Sequence, residues 1–285
     1  MAKIYHYTSI DTLALILLNK TIRFNRLDKV DDEEESIFGS GDSDVKIGKY
    51  IFVSCWTKDP EENPTLWKYV EDNAGERNAV RIGLDEDMFL TYPLYGEQYK
   101  TYFPHDFEKE SDCYFHNIAN LVQLHDVQYV DDNKERIREL IKEGYDFVDI
   151  EIQELGLFKN RERWEKQKES RFRLIAFPTT EEFESRNLEM GESNVNFTIN
   201  LMQSVVPLLR RNIPISLTYK DIPLKENVLK SIEVTMGPKT TDEDKAKVRR
   251  ILYPCPISRF FSNRRIINSS LKDKNNKNNK FSNKR

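Results

Sequence analysis

Long apolar runs and an export signal are both missing from this sequence. The longest apolar run, at 13–18, is about a third of the ~18 residues that a membrane-spanning helix needs. Residues 1–7 carry no apolar stretch followed by a cleavage site of the secretory kind. The chain has only three cysteines, an odd and widely spaced set that is typical of reduced thiols in the cytosol. We therefore expect a cytoplasmic protein with no membrane segment and no membrane partner.

An excess of charge of one sign is also lacking. The 48 acidic residues nearly balance the 44 basic ones, which leaves a net charge of -4. A molecule so balanced has no strong field that attracts nucleic acid or an anionic membrane. Any contact with nucleic acid therefore has to be local.

Several kinds of site are excluded because their motifs are absent. The Gly-Ser-Gly at 39–41 is followed neither by Lys-Ser/Thr nor by a helical pattern, so the sequence has no P-loop and no dinucleotide-binding glycine fingerprint. No serine stands in a nucleophile-elbow motif, and no cysteine has a context that marks it as activated. His105, Cys113, His116 and His125 are irregularly spaced, so we expect no metal site.

Two periodicities alternate along the chain and predict an α+β fold. Alternating apolar positions predict strands at 3–7, 21–24, 49–54, 80–84, 127–130, 172–176, 214–219 and 231–236. We expect the strand at 80–84 to be half-buried. Capping residues followed by apolar positions three and four apart predict helices that begin at Thr8 or Ser9, at Pro64, at Asp131 or Asp132 and at Thr241, with a further charged helix at 161–168.

The domain boundaries follow from length and composition. We expect one domain over residues 1–267, because mixed domains of this size are ordinary. Residues 268–285 are Lys, Asn and Ser with almost nothing apolar, so burial cannot offset their ordering entropy and we expect a disordered tail. The acidic stretch at 28–35 is too charged to be buried as a block and is expected to be a loop that is at least partly solvated.

Four short motifs occur in a fixed order: YHYTS at 5–9, VSCWT at 53–57, LWKY at 66–69 and WEKQKESRFRLI at 164–175. Together with the acidic stretch and a strand that ends in Gly-Pro at 237–238, their order and spacing resemble those of a bacterial family that opens on a His-Tyr-Thr-Ser signature. The resemblance covers roughly residues 3–265. The chain departs from the family pattern at Gln167, where an acidic residue is typical, and in the acidic loop, which lacks the usual Asn and Pro.

This family looks similar in fold to the ADP-ribosyltransferases. The resemblance implies an ADP-ribosyltransferase-like mixed sheet core with flanking helices. It also implies an enzyme that consumes NAD as a substrate and transfers ADP-ribose to a protein or nucleic-acid acceptor. A role as a toxin or phage-defence effector is a further implication, and a toxin would call for an antitoxin or immunity partner.

A carboxylate is the group that this reaction needs most. Cleavage of the nicotinamide–ribose bond passes through an oxocarbenium-like cation, which a nearby carboxylate stabilises. Glu169 is our candidate for that group. Gln167 would point the same way if the segment is extended, and would hold the acceptor nucleophile beside the sugar. His6, as a neutral imidazole, would hydrogen-bond a ribose hydroxyl without proton transfer.

A wider set of residues is predicted to bind NAD: His6, Tyr7, Thr8, Arg23, Ser54, Trp56, Tyr69 and Arg171. Ser54 would support the cleft and orient the catalytic carboxylate. Trp56 or Tyr69 would stack on the nicotinamide ring, as aromatic faces do with flat cationic groups. Arg23 and Arg171 would pair with pyrophosphate oxygens.

Other interpretations of the same residues stay open. Glu169 lies in a segment dense in Glu, Lys and Arg, which also fits an exposed helix face with ion pairs four residues apart. Trp56 and Tyr69 also fit core aromatics. The change at Gln167 favours a catalytically silent relative that binds a nucleotide, RNA or protein. A nuclease-like toxin is a more distant alternative, because no metal-carboxylate set is legible beyond the acidic loop.

Overall fold

The computed structural model of the chain describes residues 3–30, 35, 38–40, 43–94, 99–116, 122–143, 148–191, 193–254 and 263–272. Over these residues the protein is α+β, as the two periodicities predict. The strands in these ranges are β1 (Lys3–Ser9), β2 (Thr21–Arg26), β3 (Phe38–Ser40), β4 (Ser43–Val45), β5 (Ile51–Trp56), β6 (Ala79–Asp85), β7 (Tyr92–Leu94), β8 (Tyr99–Thr101), β9 (Phe107–Glu110), β10 (Cys113–His116), β11 (His125–Asp126), β12 (Gln128–Val130), β13 (Ile141–Glu143), β14 (Val148–Ile150), β15 (Phe158–Asn160), β16 (Ser170–Pro178), β17 (Tyr219–Pro223), β18 (Glu233–Met236) and β19 (Arg265–Asn268). The helices are α1 (Ile10–Asn19), α2 (Pro64–Ala74), α3 (Asn133–Glu139), α4 (Arg161–Trp164), α5 (Glu181–Met190), α6 (Asn194–Arg210) and α7 (Asp242–Leu252). None of these helices is long and apolar enough to cross a membrane.

Two sheets form the core. The larger has the strand order β17-β2-β5-β16-β10-β9, and β11 lies beside the start of β16. Its central pair is antiparallel, from Ser170 opposite Trp56 to Ile175 opposite Ile51. The smaller sheet has the order β1-β6-β18-β19 and is mixed, because β18 and β19 run parallel while the other pairs are antiparallel.

The two sheets meet where β1 passes the end of β5. Tyr5 and Thr57 exchange two backbone hydrogen bonds of 2.9 Å each, N–H to carbonyl in both directions. One continuous apolar core lies across this junction and includes Ile4 of the smaller sheet and Phe52 of the larger. The junction therefore fixes the residues that follow Tyr5 against those that precede Thr57.

Local capping signals place the two helices beside this junction. The Ser9 hydroxyl accepts a 2.9 Å hydrogen bond from the Thr12 N–H, which starts α1 directly after β1. The Asn63 side chain caps α2, whose first residue is Pro64. Both starts confirm the sequence prediction. Burial of one apolar face then attaches α1 to the sheets through Ile10, Leu13 and Ile16.

The Gly-Pro that ends β18 has a steric cause. A Cβ at Gly237 would lie 2.8 Å from the carbonyl oxygen and 3.0 Å from the Cβ of Ala79. The Gly237 N–H also donates a 2.9 Å hydrogen bond to that same carbonyl. Close contact of the two backbones therefore requires glycine at this position.

Three predicted elements differ in the structure. The strand β6 is buried on both faces over most of its length rather than half-buried, because α1 and α2 pack on it. The strand predicted at 214–219 begins only at Tyr219 and continues to Pro223 as the edge partner of β2. The charged helix predicted at 161–168 is broken into α4, a 3-10 turn at Glu165–Gln167 and Lys168 in the left-handed region, with φ of 50°.

Residues 268–272, the first five of the predicted tail, are folded. Asn268 ends β19, and the buried Ser269 donates a 2.6 Å hydrogen bond to the Glu62 carboxylate, which also accepts one from the Ser270 N–H. Lys272 donates to the carbonyl of Thr240. Residues 268–272 are therefore attached to the folded domain, while 273–285 lie outside the described residues.

Candidate functional site

A cavity of about 460 Å³ opens at the junction of the two sheets. Its wall is built from β1, β2, β5, α1, α2 and the residues that lead into β16. Every residue that the sequence analysis singles out for catalysis or NAD binding lies on this wall: His6, Tyr7, Thr8, Arg23, Ser54, Trp56, Tyr69, Gln167, Glu169 and Arg171. Residues far apart in the chain thus line one cavity. Their side chains differ in burial and in hydrogen-bond partners.

His6 is held by a backbone carbonyl. Its Nδ1 lies 2.7 Å from the carbonyl oxygen of Cys55, and since a carbonyl only accepts, Nδ1 carries the hydrogen and Nε2 is the acceptor. The ring also packs on Trp56, with centroids 5.2 Å apart. Burial lowers the pKa of His6, and the hydrogen bond to Cys55 opposes this only in part. The imidazole is therefore neutral at pH 7.

Tyr7 and Thr8 are buried on the wall of the cavity. The Tyr7 hydroxyl accepts a 2.8 Å hydrogen bond from the N–H of Asn63, and its ring meets Trp67 edge-on at 4.8 Å. These contacts join β1 to the start of α2. The described geometry gives Tyr7 a part in building the wall.

The two aromatic candidates for stacking differ in exposure. The Trp56 indole N–H donates to the Ser54 hydroxyl at 2.9 Å, and both residues are buried. Ser54 thus orients Trp56 and has no hydrogen bond to Glu169 among the described contacts. Tyr69 is 39% exposed on the cavity wall. Of these two rings, that of Tyr69 is the one open to solvent.

Arg23 lies toward solvent and is already paired. Its guanidinium forms a fork with the Asp221 carboxylate, with distances of 2.9 and 3.0 Å, and covers the Tyr219 ring at 3.5 Å from the centroid. Arg23 and Asp221 both line the cavity. A phosphate bound here would have to share the guanidinium with Asp221.

Glu169 is a buried, doubly bound carboxylate. Its Oε1 accepts from the Arg171 Nε at 2.6 Å and its Oε2 from the Lys159 Nζ at 2.8 Å. Its backbone N–H donates to the Tyr129 hydroxyl at 2.7 Å. Glu169 is only 8% exposed, so the interpretation as an exposed helix face is wrong. The strand β16 begins at the next residue, and all of its residues are buried.

Arg171 is fully buried and its donors are all used. The Nε binds Glu169, Nη1 binds Glu35 and the Gly156 carbonyl, and Nη2 binds both carboxylates. A guanidinium has five N–H groups, and these contacts account for each of them. The pairing of Arg171 with pyrophosphate stays a prediction, and it would require Arg171 to release one of these carboxylates. In the structure Arg171 holds both carboxylates in place.

The acidic stretch is partly solvated, as expected, because Lys29 is exposed and Asp28 is half-buried. Glu35 at its end is buried, pairs with Arg171 and lies 3.4 Å from the Lys159 Nζ. The four charged groups Glu35, Glu169, Lys159 and Arg171 form a neutral cluster, which we call the buried ion cluster. The loop is thus anchored at Glu35, and residues 31–34 lie outside the described residues.

The two carboxylates of the buried ion cluster differ in pKa. Burial alone would raise the pKa of the Glu169 carboxyl, but Arg171 and Lys159 outweigh it and hold this pKa well below its usual range. Burial raises the pKa of Glu35, which Arg171 and Lys159 oppose only in part and the nearby Glu169 increases. Glu169 is thus the more firmly ionised of the two.

Gln167 also contacts the buried ion cluster, but its backbone conformation differs from the one expected. It ends the 3-10 turn Glu165–Gln167 rather than lying in an extended segment. Its side-chain oxygen accepts from the Lys159 Nζ at 3.3 Å, so the two predicted catalytic side chains share one lysine. Lys159 and Glu35 were not predicted as site residues. Glu35 lies 136 residues from Arg171, whereas Lys159 lies only 8 and 10 residues before Gln167 and Glu169. No local motif marks either residue.

Among the described residues, no group of three or more His, Cys, Asp or Glu side chains is arranged to hold a metal ion. His116 stacks on Phe107, and Cys113 is buried in the core. The chain matches no protein-family model, no curated protein and no solved structure.

Proposed function

We propose that the cavity binds NAD and that the protein is an ADP-ribosyltransferase-like enzyme, built on an ADP-ribosyltransferase-like fold, that transfers ADP-ribose to a protein or nucleic-acid acceptor. The observation that carries this proposal is that His6, Ser54 and Glu169, from three separate motifs, line one cavity. Its volume of about 460 Å³ lies within the ~300–1,000 Å³ typical of small-molecule sites.

The state of Glu169 suits the reaction. The bond between C1′ of the ribose and the nicotinamide nitrogen breaks, and its electron pair leaves with nicotinamide. The acceptor nucleophile then bonds to C1′ and gives its proton to solvent. A carboxylate kept ionised by Arg171 and Lys159 stabilises the cationic sugar between these steps and does not act as an acid.

The other wall residues suit the substrate. His6 presents Nε2 as an acceptor, which matches the hydroxyl donor of a ribose. Tyr69 offers a partly exposed ring for the nicotinamide or adenine face. Arg23 supplies positive charge for the diphosphate at the mouth. A toxin or phage-defence role, with an antitoxin or immunity partner, belongs to the same proposal.

Nicotinamide release from NAD tests the proposal, measured with the purified protein alone and with cell lysate as the acceptor source. We expect Glu169→Gln to lower the rate by about a hundredfold or more, because it removes the charge and keeps the shape. Glu165→Gln is the matched control, since that side chain is 57% exposed and pairs only at the surface with Arg161. Equal rates for Glu169→Gln and the control would contradict the proposal.

A catalytically silent binding module is the second candidate. Both oxygens of Glu169 already accept hydrogen bonds within the protein, which favours a structural carboxylate. Isothermal titration of NAD and ADP-ribose separates the candidates. Binding without nicotinamide release indicates a sensing module, and no binding of either compound contradicts both the transferase and an NAD-sensing module.

A further inference from the structure

Lys159 is the one cation that contacts both predicted catalytic side chains among the described residues. It lies on β15, its side chain is 7% exposed, and its Nζ is 2.8 Å from Glu169 Oε2 and 3.3 Å from Gln167 Oε1. The same nitrogen is 3.4 Å from Glu35 and lies over the Trp164 ring at 4.5 Å. An ammonium has three N–H donors, and three oxygen acceptors surround this one.

We infer that Lys159 is a positioning residue for the proposed reaction: it keeps the Glu169 carboxylate ionised and fixed in the cavity wall, and it holds Gln167 beside it. This inference rests on the proposed function for its catalytic meaning. The holding itself is a property of the folded protein and can be measured without turnover.

Charge balance shows why Lys159 is needed. Without it, the carboxylates of Glu35 and Glu169 would share the single cation Arg171, and like charges in one buried site cannot both stay ionised at ordinary cost. The other groups that face Glu169 are the Cys55 thiol from β5 and the Tyr129 hydroxyl from β12. Burial raises the pKa of both, so both stay neutral, and neither group can become a cation that replaces Lys159.

The orientation of Glu169 also depends on Lys159. Arg171 binds Glu169 mainly from the Oε1 side, at 2.6 Å, with a weaker contact of 3.3 Å to Oε2. Lys159 makes the short contact to Oε2. Removing it leaves Oε2 with only the weaker contact to Arg171 and removes the Lys159 contact to the Gln167 amide, which would misplace the group that faces the sugar.

A carboxylate titration by NMR is the first test. In protein labelled with carbon-13 glutamate, the signal of Glu169 is assigned by its loss in Glu169→Gln. We expect the wild-type Glu169 to stay ionised through the acid limit of the folded state, and its pKa to rise by at least about one unit in Lys159→Met. In Lys159→Arg, which keeps the positive charge, the pKa of Glu169 should stay close to its wild-type value. An unchanged Glu169 titration in Lys159→Met would overturn the inference.

Nicotinamide release is the second readout. We expect Lys159→Met to lower kcat by about a hundredfold with little change in KM. The acid limb of the pH–rate profile should move to higher pH. Lys159→Met with Glu35→Gln keeps the buried ion cluster neutral, so it folds even where the single variant does not. If this double variant regains the wild-type kcat, Lys159 only balances charge and the positioning role is wrong.

The two proposals fail in different ways. A wild-type protein that releases no nicotinamide with any acceptor source contradicts the transferase proposal. The titration still decides whether Lys159 holds Glu169 ionised, because that measurement needs no substrate.

Discussion

The Nε of Arg171 donates a 2.6 Å hydrogen bond to the carboxylate of Glu169, two residues earlier in the chain. Side chains two apart in an extended segment point to the same side, so the pair is formed locally and is then buried as β16 enters the larger sheet. Burial makes the pair interdependent with the rest of the buried ion cluster, because each charge loses water and depends on its charged partners there.

Arg171→Met should destabilise the protein by about 3–5 kcal/mol, since it leaves Glu35 and Glu169 with only Lys159 as a cation. Urea unfolding at pH 7.5 measures this. Arg161→Met is the control: its guanidinium pairs at the surface, and we expect a change within about 0.5 kcal/mol. Similar losses for both variants would show that the buried ion cluster is not coupled as described.

His6 should make the protein less stable in mild acid. Its pKa in the folded protein is lowered by burial, so the unfolded chain takes up the proton first and stability falls as the pH drops below about 6.5. His6→Asn keeps a donor for the Cys55 carbonyl and removes the titration. We expect the stability curves of the two proteins to run parallel at pH 7–8 and the wild type to fall away below about 6.5. Parallel curves down to pH 5 would contradict a neutral, buried His6.

Ser54→Ala should cost about 1–3 kcal/mol, because it leaves the buried indole N–H of Trp56 without its 2.9 Å acceptor. Trp56→Phe removes that donor. The double variant should therefore lose less than the sum of the two single changes, and thermal unfolding of all four proteins measures the difference. Simple additivity would mean that the contact contributes nothing.

Gly237→Ala should destabilise the protein by about 1–3 kcal/mol, since the new methyl group would meet the Ala79 carbonyl. Glu243→Ala is a nearby control, because the Glu243 side chain is largely exposed. Equal melting temperatures for Gly237→Ala and the wild type would show that the two backbones can separate without cost.

The new boundary of the tail can be tested by truncation. A chain that ends at Asn268 should melt at a lower temperature than a chain that ends at Lys272, because the Glu62 carboxylate loses the donors from Ser269 and Ser270. Glu62→Gln gives an independent comparison with a smaller expected loss. Identical melting of the two truncated chains would place the boundary back at residue 268.

The sequence by itself determined the elements whose signals are local. Ser9 caps α1, Pro64 begins α2, and Thr241 with Asp244 forms a capping box at the start of α7. Such signals act within one turn of helix, so they can be read without knowing the fold. The α+β class follows from the two periodicities, whereas the motifs that line the cavity were singled out by their resemblance to those of a bacterial family. The helix pair α5 and α6 was not assigned, although Thr180 and Ser193 cap both.

Only the tertiary structure decided how the charges are used. The sequence shows Glu35, Lys159 and Arg171 as ordinary members of a chain that is rich in charge, and two of them lie in segments that look solvated. Whether a charged side chain is buried depends on partners that the fold brings from far away: Arg171 and Glu35 are 136 residues apart. A long-range ion pair leaves no periodic trace in the sequence, so the buried ion cluster around Glu169 becomes visible only once the two sheets are in place.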